Sequence, residues 1–159
     1  MKDYKNIKLL ILDVDGTLTD GGIYIMEDGS QFKKFNSRDG MGIRLLQKAG
    51  IEVGIISNGK TTSMVQARAD MLGMTRVYVG EAKKMDVLEA WMTEMGIGLD
   101  QVGMVGDDIN DLPVMEKAGL SACPADAVRA VKEKADIVLQ LKGGEGCVRE
   151  LIDNYLLAD

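Results

Sequence analysis

Four apolar runs in this sequence end in the residue types that hold phosphate and metal. Asp13-Val14-Asp15-Gly16-Thr17 follows the first and Ser57-Asn58-Gly59 the second. Gly80 and then Lys83-Lys84 follow the third, and Gly106-Asp107-Asp108 the fourth, with Asp111 close behind. Carboxylates gathered in one place repel one another, and unpaired buried charge is costly. A divalent cation with Asp13 and Asp107 as ligands explains the gathering most simply. A hydroxyl, exposed backbone N–H groups and a lysine beside a hard cation are what a phosphate needs. A carboxylate next to such a phosphate can attack it, and a second carboxylate two residues on can protonate the leaving oxygen. Taken singly, Asp-Gly and Ser-Asn-Gly are ordinary turns, Lys83-Lys84 a solvated helix start and Asp107-Asp108 a helix cap. Their joint order at the ends of successive apolar runs favours the chemical reading.

Composition narrows the chemistry. The chain has 159 residues with 25 acidic and 19 basic side chains, two cysteines and no histidine. Histidine triads, histidine phosphorylation and the usual zinc sites are excluded, so carboxylates must carry any metal or acid–base work and point to Mg²⁺. A net charge of −6 without a basic stripe argues against nucleic acid as a partner. No apolar run approaches the roughly 18 residues of a membrane span, and no signal peptide is readable after Lys2, Lys5 and Lys8. Cys123 and Cys147 make no disulfide framework, which suggests a reducing, cytoplasmic compartment.

The elements that must position these residues are short apolar runs at 9–12, 53–56, 77–79, 102–105 and 137–141, read as buried strands. Between them lie amphipathic stretches: Met85, Leu88, Met92 and Met95 share a helical face, as do Val148, Leu151, Ile152, Tyr155 and Leu156. The alternation predicts one α/β domain over 1–159, a Rossmann-like parallel sheet with helices on both faces and ligands at the carboxyl ends of the strands. Gly50, Gly73, Gly96 and Gly119 each follow a helical stretch, where a left-handed cap favours glycine, and Asp111 before Pro113 reads as a helix start. One segment breaks the rhythm. Residues 21–35 read as a β-hairpin turning at Asp28-Gly29, inserted after the first strand.

These motifs resemble those of the haloacid dehalogenase superfamily. Asp13-Val14-Asp15-Gly16-Thr17 is similar to its first motif, Ser57 to its second, Lys84 to its third and Gly106-Asp107-Asp108-Ile109-Asn110-Asp111 to its fourth. The resemblance implies Asp13 as nucleophile and Asp15 as general acid, then base. It makes Ser57, Asn58 and Lys84 phosphate binders. It implies Mg²⁺ held by Asp13, the main-chain carbonyl of Asp15 and Asp107, with Asp108 and Asp111 in support. Only 41 residues separate Asp15 from Ser57 and 26 separate Ser57 from Lys84; neither interval has room for a cap domain. An uncapped site lies open to water, so a macromolecular substrate or a neighbouring subunit must close it.

The hairpin favours the second, since Ile23, Ile25, Phe32 and Phe35 give it apolar surface that other copies would cover. Phe35-Asn36-Ser37-Arg38-Asp39-Gly40-Met41-Gly42-Ile43, the Lys60 segment and Gly143-Gly144-Glu145-Gly146 with Arg149-Glu150 resemble the capless, tetrameric 3-deoxy-D-manno-octulosonate 8-phosphate (KDO 8-phosphate) phosphatases. That resemblance implies hydrolysis of an eight-carbon sugar-acid phosphate in lipopolysaccharide synthesis, by a homo-oligomer, with Arg68 and Lys60 as candidate contacts to the substrate. A nine-carbon ulosonate phosphate is the alternative substrate. A phospho-receiver domain or oligomerisation module is more distant, because receivers place the acidic pair after the first strand and the phosphorylated aspartate after the third.

Overall fold

The structure, a computed structural model, describes residues 4–158. Among them the strands are β1 (Leu9–Leu12), β2 (Tyr24–Ile25), β3 (Gln31–Phe32), β4 (Glu52–Ser57), β5 (Arg76–Val79), β6 (Val102–Val105), β7 (Leu120–Cys123) and β8 (Ile137–Val138). The α-helices are α1 (Ser37–Lys48), α2 (Thr62–Met71), α3 (Lys84–Met95), α4 (Leu112–Met115), α5 (Arg129–Lys132) and α6 (Cys147–Leu151). Six strands form one parallel sheet in the order β5-β4-β1-β6-β7-β8. The chain builds outward from β1 through β4 to β5, then returns through α3 to lay β6 against the other edge of β1. The switch point of the sheet therefore lies between β1 and β6, where ligands of such sheets bind.

Why the strands read as unbroken apolar runs is visible in their two faces. Leu10 and Leu12 point into one core with Val53, Ile55, Ile43, Leu46 and Leu151; Leu9 and Ile11 point into another with Ile56, Met104, Leu88 and Val114. All four β1 residues have no exposed surface. Complete burial of a leucine or isoleucine contributes about 1.5–3 kcal/mol, so β1 alone anchors both layers. The amphipathic stretches fold as predicted: α3 buries Leu88, while α6 and the wide turn Ile152–Leu156 that continues it bury Val148, Leu151 and Ile152.

Three local expectations need correction. The segment Leu-Ser-Ala-Cys at 120–123, too weak in β-formers to stand out, is a buried strand. The run at 137–141 keeps only Ile137–Val138 as strand, although Leu139 N–H still donates to the Cys123 carbonyl at 2.8 Å. Gly50, Gly73 and Gly96 adopt the left-handed conformation, but Gly119 does not. It is glycine for another reason: a Cβ there would lie 2.2 Å from the Asp100 carbonyl oxygen.

The hairpin forms within 21–35 as a separate two-stranded sheet that turns at Gly29 (φ 84°), where Asp28 Oδ1 accepts from Ser30 N–H at 2.9 Å. Tyr24 stacks on Phe32 with ring centroids 4.8 Å apart, and a Thr19–Phe35 bridge ties the base of the hairpin to the catalytic side of the sheet. Between β1 and β4 lie only the wide turn Val14–Leu18, this hairpin and α1, and between β4 and β5 only α2, so no cap domain is present among the described residues. No helix among the described residues is long and apolar enough to cross a membrane.

Candidate active site

Asp13 leaves β1 in an extended conformation, fixed by its own N–H donating to the Val105 carbonyl of β6 at 3.1 Å. The chain then turns sharply at Gly16 (φ 89°). A side chain there would be strained by this φ, and its Cβ, 2.0 Å from Asp107 Oδ2, would displace that carboxylate. This turn lifts Asp15 to the cleft and lets Thr17 donate to Asp107 Oδ1 at 3.4 Å. Behind it, Gly144 N–H donates to the Thr17 carbonyl at 3.0 Å and the Cys147 thiol points at the same oxygen from 3.4 Å. The Gly143-Gly144-Glu145-Gly146 segment is thus the backing of the catalytic loop.

Lys84 opens α3 yet is only 3% exposed. Its ammonium donates to Asp13 Oδ1 at 2.6 Å and to the Ile56 carbonyl at 2.9 Å, and it pairs with Asp111 Oδ1 at 2.7 Å. Burial works against this ammonium, but the Asp13 and Asp111 carboxylates outweigh burial and hold its pKa above the usual lysine value. Asp111 is fully buried, and its Oδ2 accepts from the N–H groups of Asp107 at 2.9 Å and Asp108 at 3.2 Å. Asp111 thus shapes the loop through Oδ2 and faces Lys84 through Oδ1. Asp108, on the rim, caps the next turn by accepting from Ile109 N–H at 2.7 Å.

One oxygen each from Asp13, Asp107 and Asp111 lies within 4.8 Å of the others. Burial and then neighbouring carboxylates raise the pKa of Asp13 (through Asp111) and of Asp107 (through Asp13 first). A set of oxygen donors whose mutual repulsion already strains their ionisation suits a small hard cation, which would remove that strain.

Ser57 ends β4, is buried, and accepts from Gly59 N–H at 3.1 Å. Asn58 is locked in place: its amide donates to the Gly80 and Ala82 carbonyls, each at 2.9 Å, and its oxygen accepts from Asn110 at 3.2 Å. Asp13, Asp15, Ser57, Asn58, Gly59, Asp107, Asp108 and Asn110 line one cleft of about 230 Å³. A larger neighbouring cleft of about 510 Å³ borders it and shares Asn58 and Asn110.

Every motif residue expected at the phosphate or metal is thus brought together, with Lys84 and Asp111 beneath the floor. Arg68 and Lys60 are not brought into the cleft of their own chain. Arg68 lies on the α2 face that packs against α1, donating to the Asn36 carbonyl at 3.2 Å with its guanidinium 5.7 Å from the Phe35 ring centroid. Lys60 follows Gly59 outward into solvent. Two residues escaped the sequence reading. Asn110, inside the fourth motif, braces Asn58, and Lys33 of the hairpin donates to Asp15 Oδ1 at 2.5 Å. The Lys33-Lys34 pair was the available signal, but which lysine faces the sheet depends on how the hairpin folds back.

Comparison with known proteins agrees with this geometry. The family model described as haloacid dehalogenase-like hydrolase matches residues 73–151. The 3-deoxy-D-manno-octulosonate 8-phosphate phosphatase KdsC of Escherichia coli K12 is 46% identical over 154 residues, covering 97% of this chain and 81% of that protein. Among solved structures, the phosphatase of the same name from Yersinia pestis superposes with a TM-score of 0.91 at 41% identity, covering 94% of this chain and 80% of the other. The one from Moraxella catarrhalis, solved with magnesium ion, phosphate ion and KDO, gives 0.90 at 33% identity, covering 94% and 85%. The protein is a hydrolase of the haloacid dehalogenase class, and within that class it belongs to the family of the KDO 8-phosphate phosphatases.

Proposed function

We propose that this phosphatase hydrolyses KDO 8-phosphate to KDO and inorganic phosphate, with Mg²⁺ as cofactor. The observation that carries the reading is the cleft floor, where the Asp13 carboxylate is held between the Lys84 ammonium and Asp107, with Asp15 two residues on. Support for the eight-carbon substrate, over a nine-carbon one, comes from the relatives named above. The cleft of about 230 Å³ accommodates the phosphoryl group, so the sugar-acid body extends past its rim.

Asp13 attacks phosphorus through a carboxylate oxygen; the bond from phosphorus to the ester oxygen breaks, and Asp15 gives that oxygen its proton. Asp15, now a carboxylate, takes a proton from water as the water attacks phosphorus, and the bond to Asp13 breaks to release phosphate. Ser57 and the loop N–H groups after β4 hold the phosphoryl oxygens in line with Asp13, and Lys84 supplies positive charge to them from beneath Asp13. Asp13, the Asp15 main-chain carbonyl and Asp107 would hold Mg²⁺, which supplies charge neutralisation between the carboxylates and the phosphoryl group. A screen of sugar-acid phosphates with the eight- and nine-carbon substrates side by side tests the assignment, and Asp13→Asn should abolish turnover. Residual activity above about a thousandth of wild type would remove Asp13 as nucleophile.

A homo-oligomer, a tetramer through the hairpin, is part of the same reading. Ile23 is 76% exposed and Ile25 64%, with Met26 and Phe32 beside them, an apolar surface suited to burial between copies. Light scattering tests it, and a mass near that of one chain, 17.2 kDa, would refute it.

A further inference from the structure

The hairpin makes one charged contact with the catalytic loop. Lys33 follows β3, whose residues Gln31 and Phe32 are both exposed, yet its own side chain is only 12% exposed because it folds back onto Asp15. Asp15 has an extended backbone (φ −72°, ψ 115°) ahead of the Gly16 turn, which aims its carboxylate out of the loop and toward the hairpin. Its Oδ2 stands 3.1 Å from where a Gly59 Cβ would sit, so the carboxylate is confined between the hairpin and the loop after β4. Among the described residues the bond from Lys33 is the one side-chain hydrogen bond that Asp15 makes. The two aspartates of the first motif are therefore held by different lysines: Asp13 by buried Lys84 from the core, Asp15 by Lys33 from a peripheral ribbon.

We infer that Lys33 is a positioning residue for Asp15, a latch through which the hairpin of the same chain fixes where the acid–base carboxylate stands. The tie acts in both directions and adds to the Thr19–Phe35 bridge at the base of the hairpin. The Lys33 ammonium donates to Oδ1 and leaves Oδ2 to carry the proton to the scissile oxygen; without that bond Asp15 is free to swing on the Gly16 turn. With Asp15 44% exposed, the pair is screened more than the buried Lys84 clamp. Lys33 itself transfers no proton.

The inference rests on the phosphatase reading, and its test separates the two. The Mg²⁺-loaded wild type, Lys33→Met and Lys33→Arg are compared on KDO 8-phosphate and on p-nitrophenyl phosphate. A positioned acid–base group contributes roughly 10²–10⁴-fold, so partial misplacement in Lys33→Met should lower kcat on the sugar phosphate about tenfold or more with KM little changed. Lys33→Arg should restore most of it. The aryl ester has a leaving group that needs no proton, so Lys33→Met should still release p-nitrophenolate in a rapid burst before a slow steady state. A raised KM at unchanged kcat, or a burst lost along with the steady state, would overturn the positioning role. Amide hydrogen exchange supplies the arm that needs no turnover. Exchange across 23–33 should quicken in both Lys33→Met and Asp15→Ala, and unchanged exchange in both would overturn the latch. A wild type without activity on either ester refutes the phosphatase reading and leaves the exchange measurement to decide the latch.

Discussion

Gly143 lies so close to Gly16 that a Cβ on Gly143 would stand 1.9 Å from the Gly16 carbonyl oxygen. The loop that carries Asp13 and Asp15 is thus pressed from behind by a segment near the other end of the chain. Because the obstacle is backbone, no side-chain rotation relieves it. Gly143→Ala should lower stability by about 1–3 kcal/mol, the range for forced overpacking, and should reduce turnover although residue 143 lines no part of the cleft. Urea unfolding and steady-state rates on the same preparation check both effects.

Replacing Lys84 should be more damaging. Removing its ammonium leaves Asp13 and Asp111 buried without their cation. Lys84→Met should cost about 3–5 kcal/mol, the scale for breaking a buried pair from one side, and should abolish turnover. Lys33→Met, which breaks a half-exposed pair, should change global stability by less than about 1 kcal/mol. Denaturant midpoints of the two variants measured side by side decide the contrast.

The motif residues were legible in the sequence because each follows an apolar run, and the run fixes both the strand and the edge to which its end projects. Lys84 was separated from Lys83 by the family resemblance, whereas Asp13, Ser57 and Asp107 follow from that rule alone. Arg68 did not, because its placement depends on the phase of α2 against α1, and Ala69 and Val65 turn that helix so that Arg68 meets Phe35 instead of the cleft. β7 was missed because Leu120–Cys123 carries burial without β-propensity. It is the neighbours β6 and β8 that make it a strand. Lys33 is legible only once the hairpin's direction is known, and that is a tertiary fact.

Metal removal gives a separate test. Chelation should stop catalysis while the far-ultraviolet circular dichroism stays unchanged, since both cores are built without the cation. Adding Mg²⁺ should raise the unfolding temperature by relieving repulsion among Asp13, Asp107 and Asp111 and by mass action on the native state. Asp107→Asn should abolish that rise. Activity that survives excess chelator would count against the metal's role.

Stability should also depend on pH through a carboxyl outside the cleft. Asp39, in the first turn of α1, is 1% exposed; its Oδ1 accepts from Arg149 N–H at 2.9 Å while its Oδ2 has no hydrogen-bond partner. Burial pushes its pKa up to about 6 from 3.8, against the pull of the α6 amides and of Arg68. A carboxyl whose pKa is raised by folding favours the folded state while it is protonated. That contribution is complete below about pH 4 and is lost as pH rises toward 6. The loss amounts to about 3 kcal/mol. Asp39→Asn cannot ionise, so its stability should fall less than that of wild type between pH 4 and 6. Parallel unfolding curves across that window would refute the assignment.

The strand order also sets a sequence of events for the growing chain. β1 is central in the finished sheet, but its partner on one side, β6, is made some ninety residues later. Until Val102–Val105 leaves the ribosome, the Leu-Leu-Ile-Leu edge of β1 has open backbone groups and unfilled apolar faces, the profile of a segment that pairs with other chains. Nascent chains that already carry Asp13, Ser57 and Lys84 still lack both Asp107 and Asp111. The growing chain is therefore most open to pairing with other chains in that interval, and the catalytic centre is among the last features of the fold to be completed.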